Sequence, residues 1–333
     1  MLSLESQVLQ RHLAFFEHKS VLFAGGVNDD FPMQIRSQGK SVKIWSCYFD
    51  YVNHLKDKSA VHFGEIFQDQ ADLMVFYWTK NKQEVQFQLM QLLANASVNQ
   101  EILIIGENRC GVRSVEKMLS PFGEIGKIDS ARRCGLYHFC LTEVPQFEFA
   151  TYWKTYQNQK LGELKIQSLP GVFSANELDL GTDLLLSTLN HTITGDVLDI
   201  GCGAGVIGAF IKQYNPQINL VMSDIHAMAI ASAKRTLDEN GLAGEVIASD
   251  VFSHIQGKFD LIISNPPFHD GIDTAYQTVT TLIEQAQQHL KSGGELRIVA
   301  NAFLPYADLL DRCFGRHQVL AKTGKFKVYA VNV

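Results

Sequence analysis

The stretch Asp196-Val197-Leu198-Asp199-Ile200-Gly201-Cys202-Gly203-Ala204-Gly205 decides the fold. A short, mostly apolar run enters three alternating glycines, the pattern of a buried parallel strand passing into a tight turn. Outward from it the pattern alternates. A helix is predicted over Val206–Tyr214, a strand over Ile218–Ser223, an alanine-rich helix over Ala227–Asn240 and a strand over Glu245–Ser249. A fourth strand follows at Phe259–Ser264, then a helix at Thr278–Leu290 closed by a Ser292-Gly293-Gly294 turn, and a fifth strand at Glu295–Ala300. Such alternation predicts a doubly wound α/β sheet. The tail, Gln318–Lys322 and Phe326–Val333 across Gly324, predicts a hairpin that adds antiparallel strands.

The amino-terminal half repeats this order more weakly. Strands are predicted at Ser20–Gly26, Asp72–Trp78 and Glu101–Gly106, a helix at Glu84–Ala96, and a closing hairpin from Lys127–Cys134 and Tyr137–Val144. Val21-Leu22-Phe23-Ala24-Gly25 lies on Val197-Leu198-Asp199-Ile200-Gly201 with an offset of 176 (197 − 21), and Asp72-Leu73-Met74-Val75 on Asp260-Leu261-Ile262-Ile263 with an offset of 188 (260 − 72). An internal duplication with loop insertions explains both offsets; two unrelated α/β domains is the alternative. The expected division is a first domain over 1–150, a linker over 151–165 and a second domain over 166–333.

Composition agrees with two folded domains: 333 residues, 46% hydrophobic and 19% charged, exclude a disordered or collagenous chain. The formal charge of -6 gives no overall attraction to a polyanion, so a nucleic-acid substrate would need local basic patches. No run reaches the roughly 20 apolar residues of a membrane span. A cytoplasmic location is expected. The six cysteines, Cys47, Cys110, Cys134, Cys140, Cys202 and Cys313, are dispersed without a C-x-x-C pair, so reduced thiols and no metal site are expected.

The second half carries the chemistry. Asp199, Gly201, Gly203 and Gly205 form a D-x-G-x-G-x-G turn, in which glycine lets backbone approach a ligand and the acid accepts hydrogen bonds from it. Gly203, Gly205 and Gly208 also satisfy the dinucleotide pattern G-x-G-x-x-G, so this turn alone leaves a nicotinamide-dependent oxidoreductase open. Asp224 and Asp250 follow the next two strands, where an open α/β sheet places ligands. Asp224 suits two ribose hydroxyls. Asp250 suits an exocyclic amine, with the Val251 backbone N–H beside it, or else forms a turn. Asn265-Pro266-Pro267-Phe268 discriminates. Two prolines remove N–H donors and leave carbonyl acceptors in a rigid corner, Asn265 adds a side-chain oxygen, and Phe268 a flat face. Such a corner fits a planar ring bearing an –NH2 group, which an oxidoreductase would not need.

Asp199-Ile200-Gly201-Cys202-Gly203-Ala204-Gly205 together with Asn265-Pro266-Pro267-Phe268 resembles the class I S-adenosylmethionine-dependent methyltransferases that act on amino nitrogens. With Gly106–Ser114, Leu178-Asp179-Leu180-Gly181-Thr182 and Pro266–Gly271, the whole chain is similar to the 16S rRNA guanine-N2 methyltransferase family. The resemblance implies two tandem methyltransferase-like (Rossmann-like) domains, each a mainly parallel doubly wound sheet with a carboxy-terminal antiparallel hairpin. It implies S-adenosylmethionine as cofactor, held by Thr182, Asp199, Gly201, Gly203, Gly205, Asp224, Asp250 and Val251, and Asn265 to Phe268 as the catalytic corner. A large-subunit guanine-N2 enzyme shares the layout; a protein-glutamine or adenine-N6 enzyme is the nearest other alternative, and those typically carry tyrosine or tryptophan at the place of Phe268.

Under the duplication Asp199 corresponds to Phe23, Gly203 to Val27, Gly205 to Asp29, and the corner to Tyr77-Trp78-Thr79-Lys80. The first half has lost cofactor turn and corner and is expected to act as scaffold or RNA holder. Arg109, Arg113, Arg132 and Arg133 are the candidate RNA contacts there; Lys80 and Lys82, and Lys322, Lys325 and Lys327, are further basic clusters, and each could instead be a solvated face. The expected partner is 16S rRNA or the small ribosomal subunit, bound by a monomer. His269 is read as an RNA-facing or solvated side chain rather than a base.

Overall fold

The computed structural model describes residues 2–38, 41–266 and 272–333, with 272–275 by backbone alone. Two compact units, Met1–Tyr152 and Trp153–Val333, divide the chain.

The first unit contains β1 (Val21–Gly25), β2 (Val42–Ser46), β3 (Val61–Phe63), β4 (Leu73–Tyr77), β5 (Glu101–Glu107), β6 (Gly123–Ala131) and β7 (Cys134–Leu141). The second begins with a two-stranded antiparallel pair, β8 (Lys154–Tyr156) and β9 (Ile166–Ser168), followed by β10 (Asp196–Ile200), β11 (Asn219–Asp224), β12 (Glu245–Ala248), β13 (Phe259–Ser264), β14 (Leu290–Asn301), β15 (Gln318–Lys322) and β16 (Phe326–Asn332). The sheet orders are β3-β2-β1-β4-β5-β7-β6 and β12-β11-β10-β13-β14-β16-β15. Strand for strand they are one topology.

Register makes the correspondence residue by residue. Val21 pairs with Leu73 in the first unit and Val197 with Leu261 in the second. The offsets of 176 and 188 therefore meet in one pairing. A hydrogen bond is repeated as well: Ser20 N donates to Asp72 Oδ2 and Asp196 N to Asp260 Oδ2, both at 2.7 Å. An acid leading one central strand thus holds the start of its neighbour in both units.

The central strands are fully buried, Val21–Gly25 and Leu73–Tyr77 nearly so throughout, because helices cover both faces of a parallel sheet. In the second unit, Leu198, Ile262, Ile283, Leu296, Ile298 and Tyr329 share one core on a single side of the sheet. Burying each such side chain contributes roughly 1.5–3 kcal/mol.

Several expectations are corrected. The segment expected as a linker, 151–165, carries β8, and from Trp153 on it belongs to the second unit, where the Arg235 guanidinium stacks 4.4 Å over the Trp153 ring. The strands β2 and β3 were not predicted; their runs are short and interrupted by polar residues. The helix expected at Thr278 begins at Ile272, and Ser292-Gly293-Gly294 is a bulge inside β14, where the register on β13 jumps from Phe259↔Leu290 to Leu261↔Glu295. The first hairpin turns at Arg132-Arg133 rather than at Gly135. No helix among the described residues is long and apolar enough to cross a membrane.

Candidate active site

The glycine turn begins where β10 ends. Gly201, Gly203 and Gly205 have φ of +70°, +54° and +81°. Gly205 is the most constrained: it precedes the helix Val206–Tyr214, and a Cβ there would sit 3.0 Å from Ala233 Cα. Gly208 lets that helix press on the sheet, since a Cβ would fall 2.3 Å from Met222 Sδ. A Cβ on Gly201, by contrast, would meet nothing within 4 Å among the described residues.

Asp199 is the penultimate residue of β10 and is 0% exposed. Its Oδ2 accepts the Gly208 N–H at 3.0 Å, while Oδ1 has no hydrogen-bond partner among the described residues. Burial pushes its carboxyl up to about 7; the Gly208 bond opposes the rise, and the nearby Asp224 charge adds to it. A bare buried carboxylate oxygen is costly unless a donor reaches it. Asp224, at the end of β11, is half-buried, which raises its carboxyl above the usual range. Its two oxygens accept from Gly203 N and His226 N, each at 2.9 Å, so it stitches the strand end to the glycine turn and keeps lone pairs for a hydroxyl.

Asp250 starts a turn beyond β12: its N–H donates to Ser253 Oγ at 3.0 Å and its carbonyl accepts Ser253 N at 2.9 Å. Val251 follows with φ +47°. A β-branched residue in the left-handed region is an outlier costing about 1–3 kcal/mol, and such strain concentrates where ligands are gripped.

Asn265 follows β13 and is 7% exposed. Its Nδ2 donates to Thr182 Oγ1 at 2.8 Å and to Asp179 Oδ2 at 3.1 Å. Both amide hydrogens are engaged, and Oδ1 is left as the acceptor. Thr182, expected at the cofactor, is 3% exposed and spends its hydroxyl on Asn265. Asp179 was not singled out as a site residue. It caps the helix Leu180–Leu186 by accepting Thr182 N at 2.9 Å, and the signal for it was an acid directly ahead of an apolar run. Pro266 is buried beside Asn265; Pro267, Phe268, His269 and Asp270 lie outside the described residues.

The first unit fills the equivalent places with its own side chains. Phe23, at the position of Asp199, packs edge-on against Phe31 at 6.0 Å and lies 6.5 Å from the Tyr77 ring. Asp29, at the position of Gly205, takes Ser3 N at 2.7 Å and Ser6 Oγ at 3.1 Å. The cofactor turn is replaced by packing.

The family models agree with this division. The methyltransferase small domain matches residues 163–330, and the methyltransferase small domain N-terminal matches residues 6–156. The ribosomal RNA small subunit methyltransferase C of Pasteurella multocida is 72% identical over 99% of both chains, and that of Haemophilus ducreyi is 61% identical over 100% of both. The chain belongs to the ribosomal RNA small subunit methyltransferase C family. A solved member of this kind, a T. thermophilus 16S rRNA N2 methyltransferase in complex with AdoMet and guanosine, shares the fold with a TM-score of 0.83 at 22% identity, covering 94% of this chain and 88% of that one. Two tandem methyltransferase-like domains are thus the architecture of this small subunit methyltransferase C chain, as its two matching sheets require.

The four arginines expected on the first unit are exposed. Arg109 pairs with Glu107 at 2.6 Å, and Asn108 N donates to Arg133 O at 2.8 Å, joining the loop after β5 to the hairpin tip. Arg132 and Arg133 have φ of +51° and +64°. A two-residue hairpin with both residues left-handed normally uses Asn-Gly, so two arginines there are held against their preference. Among the described residues no cluster of His, Cys, Asp or Glu could hold a metal ion.

Proposed function

We infer that the chain transfers a methyl group from S-adenosylmethionine to the N2 amine of a guanine in 16S rRNA. The observation that carries this is the 72% identity over 99% of both chains with a ribosomal RNA small subunit methyltransferase C, joined to a site of matching chemistry. A molecule with a cationic amino-acid end and a ribose fits the residues present: Asp199 Oδ1 is a buried acceptor lacking a donor, Asp224 stands at the next strand end, and a Cβ on Gly201 would meet nothing within 4 Å among the described residues. Asp199, Gly201, Gly203, Gly205, Asp224, Asp250 and Val251 are the proposed cofactor contacts.

The cofactor supplies an electrophilic methyl group on a sulfonium. The protein's part is alignment, which supplies roughly 7–11 kcal/mol when an attacking atom is well placed. Asn265 Oδ1 and the Pro266 carbonyl accept the two hydrogens of the guanine amine, draw its nitrogen out of conjugation and stabilise the positive charge that develops there. As the N–C bond forms the S–C bond breaks, and the nitrogen then releases a proton to water. No strong base is needed. Pro267 and Phe268 complete the corner in this reading, with the base turned out of its helix onto the Phe268 ring.

The first unit, through Tyr152, holds RNA through Arg109, Arg113, Arg132 and Arg133, while the second, from Trp153 and including its β8 strand, performs the transfer. The protein acts as a monomer on the small ribosomal subunit or its RNA, in the cytoplasm. The test is mass mapping of 16S rRNA from a strain lacking this protein, incubated with it and S-adenosylmethionine. One additional N2-methylguanine is expected. Transfer to no guanine, or only to large-subunit RNA, overturns the reading.

A further inference from the structure

We propose that Asp179 is a positioning residue whose carboxylate holds the Asn265 amide in a single orientation, with Oδ1 aimed at the reacting amine. The inference rests on the amine-methylation reading above.

The internal duplication supplies a control within the same chain. The offset of 176 carries Ser3 onto Asp179 and Ser6 onto Thr182, and the offset of 188 carries Tyr77 onto Asn265. In the first unit Ser3 caps the helix Leu4–Leu9 by accepting Ser6 N at 3.1 Å, and Ser6 Oγ meets Tyr77 OH at 2.7 Å. In the second, Asp179 caps Leu180–Leu186 by accepting Thr182 N at 2.9 Å, and Thr182 Oγ1 meets Asn265 Nδ2 at 2.8 Å. Helix, cap and contact to the strand end are the same. Serine therefore suffices for the cap, and serine and aspartate cap with similar strength.

What aspartate adds is reach to a second donor. Asp179 Oδ2 accepts Asn265 Nδ2 at 3.1 Å, an interaction with no counterpart at Ser3 among the described residues, where the strand-end position is a tyrosine with no amide to orient. The acid stands where the amide stands. A primary amide has two nearly identical ends, one donating and one accepting, and 180° rotation exchanges them. A carboxylate only accepts, so it rejects the rotamer that turns Oδ1 toward it. With Thr182 Oγ1 alone, a hydroxyl that donates or accepts, both orientations are satisfied. A flipped Asn265 would present N–H groups to an amine that also carries N–H groups, and methyl transfer would lose its acceptor.

The experiment uses the full chain with 16S rRNA lacking the modification. Asp179→Ser retains the cap and is expected to keep its melting temperature and its S-adenosylmethionine affinity while kcat falls about a hundredfold, the scale of misplacing an aligned group. Asp179→Asn keeps one acceptor oxygen and is expected to recover most of that loss. Asp179→Thr likewise keeps the cap through a hydroxyl that does not reach Asn265 and is expected to lower kcat as Asp179→Ser does. Wild-type kcat in Asp179→Ser, or equal losses in Asp179→Ser and Asp179→Asn, overturns the positioning role while leaving the methyltransferase reading intact. If Asp179→Ser loses cofactor affinity or unfolds, Asp179→Thr decides: unchanged kcat there overturns the proposal. Absence of transfer by the wild-type protein overturns both.

Discussion

Asp199 and Gly208 are joined by one hydrogen bond, from the Gly208 N–H to Asp199 Oδ2 at 3.0 Å, and the other carboxylate oxygen is left bare in a fully buried position. Its carboxyl is raised to about 7 chiefly by that burial. The folded protein therefore holds a proton that the unfolded chain gives up near pH 4. Stability contributed by this group is present at acid pH and declines as pH rises toward 7, after which it is constant.

Cofactor binding follows from the same group with the opposite sense. A cationic ligand wants the ionised form, so S-adenosylmethionine affinity should rise about tenfold per pH unit below 7 and level off above it. Binding at pH 6 should release close to one proton. Calorimetry in two buffers of different ionisation enthalpy measures this directly; a flat affinity between pH 5.5 and 8 contradicts it. Asp199→Asn should raise the melting temperature at pH 8 and abolish binding.

Glycines in the turn should separate by what surrounds them. Gly205→Ala places a Cβ 3.0 Å from Ala233 Cα at φ +81°, combining left-handed strain of about 1–2 kcal/mol with overpacking of about 1–3 kcal/mol. The melting temperature should fall by several degrees and cofactor affinity with it. Gly201→Ala meets no atom of the described residues within 4 Å, so its stability loss should be limited to the conformational part. Its binding loss should be comparable, because the methyl group projects into the space assigned to the ligand.

At the tip of the first hairpin, stability and recognition should move in opposite directions. Replacing Arg132-Arg133 with Asn-Gly relieves two left-handed arginines and should stabilise the protein by about 1–2 kcal/mol. RNA affinity should fall, and the slope of log affinity against log salt should lessen by about 1.5 to 2. Unchanged RNA binding would remove this turn from the proposed RNA surface.

Asn265→Ala should bind S-adenosylmethionine as the wild type does and transfer about 10²–10³-fold more slowly, the usual scale for deleting one transition-state hydrogen-bonding group. Transfer within a few-fold of wild type refutes the alignment mechanism.

The second unit alone should begin at Trp153, near the start of the segment expected as a linker, because β8 pairs with β9 and Trp153 stacks under Arg235. It should bind S-adenosylmethionine with near wild-type affinity and fail on ribosomal substrate. Full activity on that substrate excludes a recognition role for the first unit.

Much of this protein is determined by its sequence because parallel strands are local, continuous apolar runs. Val197–Ile200 and Asp260–Ile263 announce themselves, and so do their fainter counterparts at Val21 and Asp72. The glycine turn was legible for a similar reason, since it depends on residue types adjacent along the chain, whereas half of the proposed Asn265-Pro266-Pro267-Phe268 corner lies outside the described residues. Whole-chain resemblance supplied the nucleobase. What only tertiary structure decided involves partners distant in sequence. The strand β2 exists because β1 offers it an edge, and β3 because β2 does, not because their residues demand it. The first hairpin turns at two arginines although Gly135 is nearby, since the register of β7 on β5, pairing Gly106 with Gly135, places that glycine inside a strand. Above all, Asp179 and Asn265 are 86 residues apart, and only folding brings a helix cap to a strand end at 3.1 Å. A carboxylate's preference for a donor fixes which end of the amide faces outward, and no pattern along the chain encodes that contact.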